Sequence, residues 1–309
     1  MKKPTFLTIL VFMLLVGCNQ NPKTVTNQND NTIIMQKAEE FASFKLTTDL
    51  SVLTENERQI LPLLFEVADI MQEIYWTEAF GNKDELFDKY KDESLVKFLN
   101  INYGPWERLN DNISFIPDFE NKPDGANFYP VDMTKEEFDA WEDADKLSLY
   151  TLIRRDENKN LEAIPYHVAF EQQVGKAAGL LLQAAELAED EGLKNYLSTR
   201  AKALLTDDYY ESDIAWLDMK TNSIDFVVGP IENYEDQLFG YKAAHESFIL
   251  IKDKEWSRKL EKYGALLPKL QEELPCELKY KNETPGSDAD MNVYDAVYYA
   301  GDCNAGYLD

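Results

Sequence analysis

The chain has 309 residues, enough for one large domain or two ordinary ones, and 44% of them are apolar, ample for a core. Its formal net charge is -26. A chain this acidic repels nucleic acid and anionic headgroups, which excludes nucleic-acid binding as a primary role.

In chain order, Lys2 and Lys3 precede an apolar run from Phe6 to Val16, which is too short to span a bilayer permanently. The run ends in Leu15-Val16-Gly17-Cys18, which resembles the lipobox of bacterial lipoproteins. That resemblance implies a signal peptide over 1–17, a lipid on Cys18 and a cell-envelope location, with the membrane as a partner. Residues 18–31 are polar and Asn-rich and read as a flexible tether; the body is expected over 32–309. Cys276 and Cys303 remain, and one possible pair is too few for a disulfide scaffold.

Ile60, Leu63, Leu64, Val67, Ile70, Met71 and Ile74 recur at helical spacing, behind a capping box of Thr54 and Glu57. A second helix is expected over 84–99. From Asn102 to Pro130, prolines and glycines break every period, yet six aromatics punctuate the stretch; it reads as a long ordered loop, a kind that often carries function. Thr134 and Glu137 open a helix through Trp141. Residues 150–164 read as a hairpin around Asp156-Glu157-Asn158-Lys159-Asn160, a turn without the glycine and glutamate of a calcium loop. Asp288 to Asn292 fails the same test.

Residues 166–205 are strongly helical, with Gly192 as the expected divider. A short strand over 224–228, a helix over 256–274 and a buried strand over 293–300 follow. The predicted class is α+β, helix-dominated.

His245-Glu246 has the opening letters of a zinc-peptidase helix, but Ile249 and Leu250 stand where a second histidine would be needed. The other histidine, His167, lies on a different element. No metal ligand set, Gly-x-Ser-x-Gly elbow or phosphate loop is present. Gly229 to Tyr234 follows a strand. Glu232 and Tyr234, two apart, share a side if the chain stays extended. A carboxylate there can hold an ammonium group and a phenol can donate to a developing oxyanion; a solvated turn is the plainer reading.

Four blocks together resemble the dipeptidyl peptidase III family, above all its bacterial branch and the peptidase part of plant fusions with a Nudix domain. They are Leu99 to Trp106, Gly125 to Met133, Gly229 to Asp236 and Tyr299 to Gly306. The resemblance implies a zinc exopeptidase that releases N-terminal dipeptides from peptides, built as two lobes around a cleft. One lobe is helical and carries zinc; the other mixes helices with a small β-barrel. By the same resemblance Glu232 binds the amino terminus of a short peptide and Tyr234 polarises the scissile carbonyl. The family's zinc ligands lie C-terminal to these blocks. The chain is therefore expected to be the substrate-side lobe, truncated before the zinc motif, holding no zinc and inactive alone, with a missing C-terminal half as a possible partner. The competing reading is a non-catalytic peptide-binding or scaffold lipoprotein.

Overall fold

The computed structural model describes residues 28–282 and 291–301. Cys18, the signal peptide, most of the tether, Asp288 to Asp290 and Cys303 lie outside the described residues. Helix α1 (Gln28–Glu40) begins inside the stretch read as a tether.

The organising element is α2 (Glu55–Ala79). Its capping box forms as expected: Thr54 Oγ1 accepts from the Glu57 amide at 3.2 Å, and Glu57 Oε2 accepts from the Thr54 amide at 2.8 Å. Ile60, Leu64, Val67, Met71 and Ile74 are fully buried along one face. The expected single helix over 84–99 is two helices, α3 (Lys83–Lys89) and α4 (Glu93–Asn102). The break has a local cause: the Asp92 carboxylate accepts from the Leu95 amide at 3.0 Å and starts a new helix there.

The long loop is ordered, as its aromatics predicted. A two-stranded ribbon, β1 (Trp106–Glu107) and β2 (Ile113–Ser114), is its only strand pairing. Tyr103, Trp106, Phe128 and Tyr129 are buried. After α5 (Lys135–Ala140), the expected hairpin forms from β3 (Thr151–Arg155) and β4 (Leu161–Pro165).

Helices α6 (Tyr166–Ala169), α7 (Glu171–Leu187), α8 (Glu191–Leu204) and α9 (Tyr210–Asp218) follow. The division falls before Gly192, because the Asp190 carboxylate caps α8 by accepting from the Leu193 amide at 2.8 Å. The main sheet is antiparallel, in the order β5 (Ile224–Glu232), β6 (Ala244–Lys252), β7 (Tyr294–Gly301). Between β6 and β7 lie α10 (Lys254–Gly264) and α11 (Leu267–Glu272), where one helix was expected.

Two further expectations need correction. His245, read from the sequence as a helix-surface or half-buried residue, is fully buried on a strand. β6 is the central strand and buried on both faces, so it shows no alternation to read. Strand β7 is mostly half-buried, because it is an edge. Its end is nevertheless fixed on the N-terminal half: the Gly301 amide donates to Gln72 Oε1 at 2.6 Å, and Tyr103 Oη donates to the Gly301 carbonyl at 2.7 Å.

The helix-dominated α+β class holds. Among the described residues the sheets have two, two and three strands and none closes into a barrel. α2 packs on α7, β6 and β7, so the core lies between the helical layer and the three-stranded sheet.

Candidate functional site

Strand β5 delivers the candidate residues to its own C-terminal end. Gly229 adopts φ +122°, a conformation other residues avoid, and the register slips between Pro230 and Glu232. This irregularity turns the strand end outward. Ile231, Glu232, Asn233 and Tyr234 are all exposed in succession. Glu232 is the last residue of β5 and Tyr234 lies in the turn beyond it. The side-sharing expected of an extended chain therefore stops at Glu232; the turn, not strand alternation, sets the aim of Tyr234.

That turn is anchored from below by the next two residues. Glu235 and Asp236 are each 2% exposed. Glu235 Oε2 accepts from Arg108 Nη1 at 2.9 Å and Nη2 at 2.8 Å, while Oε1 pairs with Lys122. Burial alone would raise the Glu235 carboxyl; the charges and hydrogen bonds of Arg108 and Lys122 outweigh it and hold the group below the ordinary carboxylate range. Arg108 also bonds the Tyr75 hydroxyl on α2, so the clamp reaches the core.

Asp236 gathers the far side of the turn. It accepts from Tyr129 Oη at 2.7 Å and from the amides of Leu238, Phe239, Tyr241 and Lys242 at 2.9 to 3.2 Å. Lys242, fully buried, closes the segment by donating to Lys146 O, Ser148 O and Thr151 Oγ1 at 2.8 to 2.9 Å. Burial draws its ammonium down to about 8, against opposing pulls from Asp236 and Asp143. An exposed carboxylate and phenol thus ride on a buried base held by the ion pairs of Glu235 and the hydrogen bonds of Asp236. The sequence named the exposed pair but none of its supports. The one signal was the basic pair Arg108 and Lys122 within the long aromatic loop.

The histidines are committed elsewhere. His245 is fully buried, its Nδ1 2.6 Å from Glu78 Oε1 and its amide donating to Glu78 Oε2 at 2.8 Å. His167 Nδ1 lies 2.8 Å from Asp207 Oδ2. Among the described residues no three His, Cys, Asp or Glu side chains converge as a metal centre requires, so these residues do not fit zinc. No described helix is long and apolar enough to cross a membrane.

Comparison with known proteins gives the family and the fold. The sequence model of peptidase family M49 matches residues 143–303. The chain is 30% identical to Nudix hydrolase 3 of Arabidopsis thaliana, over 89% of this chain and 44% of that one. Two solved structures superpose well. Dipeptidyl peptidase III of Caldithrix abyssi has a TM-score of 0.82 at 39% identity, covering 88% of this chain and 54% of its own. Dipeptidyl peptidase III of Corallococcus sp. strain EGB has a TM-score of 0.77 at 35% identity, covering 89% and 53%. The chain spans about half the length of these relatives. On the family match and the shared fold, it is a member of peptidase family M49.

Proposed function

We propose that this chain provides the peptide-binding side of a dipeptidyl-peptidase-III-like protein. Glu232 takes the free ammonium of a short peptide, and the Tyr234 hydroxyl donates to the carbonyl of the bond presented for cleavage. The observation that carries this is the turn itself: an exposed carboxylate and phenol held on two buried carboxylates that are fully paired. A loop with no task has no need of so rigid a base.

Zinc would supply the activated water in a complete site of this family, but nothing among the described residues here would hold it. We therefore read the chain alone as binding peptides without hydrolysing them. Incubation with a dipeptidyl-naphthylamide, with and without added zinc, is expected to release no naphthylamine above the blank. Chelator-sensitive turnover would overturn this reading.

For binding, Glu232→Ala is expected to weaken a short peptide with a free amino terminus about tenfold, the usual scale for losing a charge-assisted hydrogen bond. Calorimetry with the N-acetylated peptide is the control: its affinity should not respond to the substitution. Equal affinity of the free peptide for both proteins would remove Glu232 from the site.

The envelope location belongs to the same proposal and rests on the Leu15 to Cys18 segment alone. Metabolic labelling with a radioactive fatty acid should mark the full chain and lose the label in Cys18→Ser; label retained by that variant would end the lipoprotein reading.

A further inference from the structure

A cavity of about 360 Å³ lies between α8, α9 and β5. That is the lower end of the range for small-ligand sites. Its walls are aromatic, with Tyr150, Tyr209 and Trp216, and apolar, with Leu217 and Ile231. The Trp216 ring is fixed by its indole N–H, which donates to Asp225 Oδ1 at 2.9 Å. Tyr150 and Tyr209 pack ring to ring, centroids 4.8 Å apart. Burial foremost, with nearby carboxylates adding to it, pushes both phenols above their ordinary range, so at neutral pH they keep their protons.

Two charged side chains line this space, Arg200 and Asp213. Arg200 is 4% exposed, and its guanidinium stacks near the Tyr196 and Tyr209 rings at 5.4 and 5.3 Å. Its Nη2 donates to Asp213 Oδ1 at 2.5 Å, but its buried Nε has no hydrogen-bond partner. The Nε–Nη2 edge is one that a carboxylate can grip with both oxygens. Asp213 uses only half of that edge, and its own side chain is 55% exposed. It can swing into water once another carboxylate takes its place on the buried guanidinium. A buried N–H left without an acceptor is costly to a fold unless something supplies one.

We propose that this cavity binds the carboxylate end of an apolar molecule: the body lies against Tyr150, Tyr209 and Trp216, and the carboxylate takes the Nε–Nη2 edge of Arg200 in place of Asp213. Two sources share this chemistry, a free hydrophobic amino-acid derivative and the C-terminal residue of a peptide. The site is separate from Glu232. Pro230 and Ile231 line the cavity, whereas Glu232, beyond the slip in register, is not among its walls. The inference does not rest on the peptide-binding role of Glu232.

Calorimetric titration of the full chain with N-acetyl-phenylalanine tests it. Binding should be saturable, and N-acetyl-phenylalaninamide, which keeps the ring and loses the charge, should bind at least about tenfold more weakly. Arg200→Met removes the grip but strips a buried pair, and a failure to fold would say nothing. Leu217→Trp is therefore the decisive variant: Leu217 is 56% exposed, so the larger ring fills the cavity without disturbing the core, and binding should be lost. Glu232→Ala should leave binding intact. Competition by a longer peptide ending in phenylalanine assigns a chain end as the ligand, and absence of competition assigns the small acid. Equal binding of acid and amide, undiminished binding by Leu217→Trp, or no saturable binding would each overturn the proposal.

Discussion

Glu235→Ala is expected to lower the unfolding free energy by about 3–5 kcal/mol, the range for removing one partner from a buried charge pair. The size follows from what is left behind. The Lys122 side chain is 4% exposed and that of Arg108 is 15% exposed, and both lose their carboxylate together. The cations would then have to draw in water or break their other bonds, including that from Arg108 Nε to the Asn102 main-chain oxygen. Glu235→Gln keeps the volume and part of the hydrogen bonding, so it should fall between alanine and the parent. Urea unfolding of the three proteins checks the order.

The same residue gives a pH signature. Its folded carboxyl titrates below the ordinary glutamate value of 4.5, so its contribution is complete above that pH. It is lost as the pH falls through the lower, folded value. The gap between parent and Glu235→Gln should therefore be constant at neutral pH and shrink in acid. A gap that persists undiminished in acid would mean the carboxylate does not carry the charge pairing assigned to it. Peptide affinity should drop in parallel with stability in Glu235→Ala, because Glu232 and Tyr234 stand on the turn that this residue holds.

Gly301→Ala comes next in size, at about 3 kcal/mol or more. The glycine has φ +75°, which by itself costs an L-residue about 1–2 kcal/mol. The added carbon would also sit 2.2 Å from the His245 carbonyl oxygen and 2.8 Å from the Glu246 Cα. Both are backbone atoms of the central strand, so no side-chain rotation can relieve the clash; β7 must peel from β6 or β6 must move. Gly175→Ala on α7 is the matched control. Nothing lies within 4 Å of a carbon added there, and alanine should stabilise the helix by up to about 1 kcal/mol. Comparable midpoints for the two variants would refute the account of the β6–β7 junction.

Local chemistry was legible in the sequence; long-range chemistry was not. Thr54 with Glu57, the Asp156 turn and the helical stretch after Tyr166 announce themselves because each signal lies within a few residues of its consequence. Two helices were joined over 84–99 because the Asp92 cap restarts the hydrogen-bonding ladder without any break in composition, whereas the division expected at Gly192 falls close by, at the Asp190 cap. Strand β6 was missed because a strand covered on both faces carries no alternation, and the partner of its His245 Nδ1 is Glu78, 167 residues earlier. The candidate site divides the same way. Glu232 and Tyr234 emerge from a short motif and a family likeness. Arg108 and Tyr129, separated from their partners by 127 and 107 residues, could be recognised as supports only once the chain was folded.

The central position of α2 sets a timetable for synthesis. Its partners β6 and β7 begin only at Ala244 and Tyr294, long after the helix ends at Ala79. At the usual 5–20 residues per second, a ribosome needs roughly ten to thirty seconds to pass from the end of α2 to the start of β6. For that interval the nascent helix carries the greasy face of Ile60, Leu64, Val67, Met71 and Ile74 without the two strands β6 and β7, while α7, arriving midway, covers part of it. Holdase chaperones that bind emerging apolar helices should therefore crosslink to this stretch on stalled ribosomes, and release it once β6 has cleared the exit tunnel.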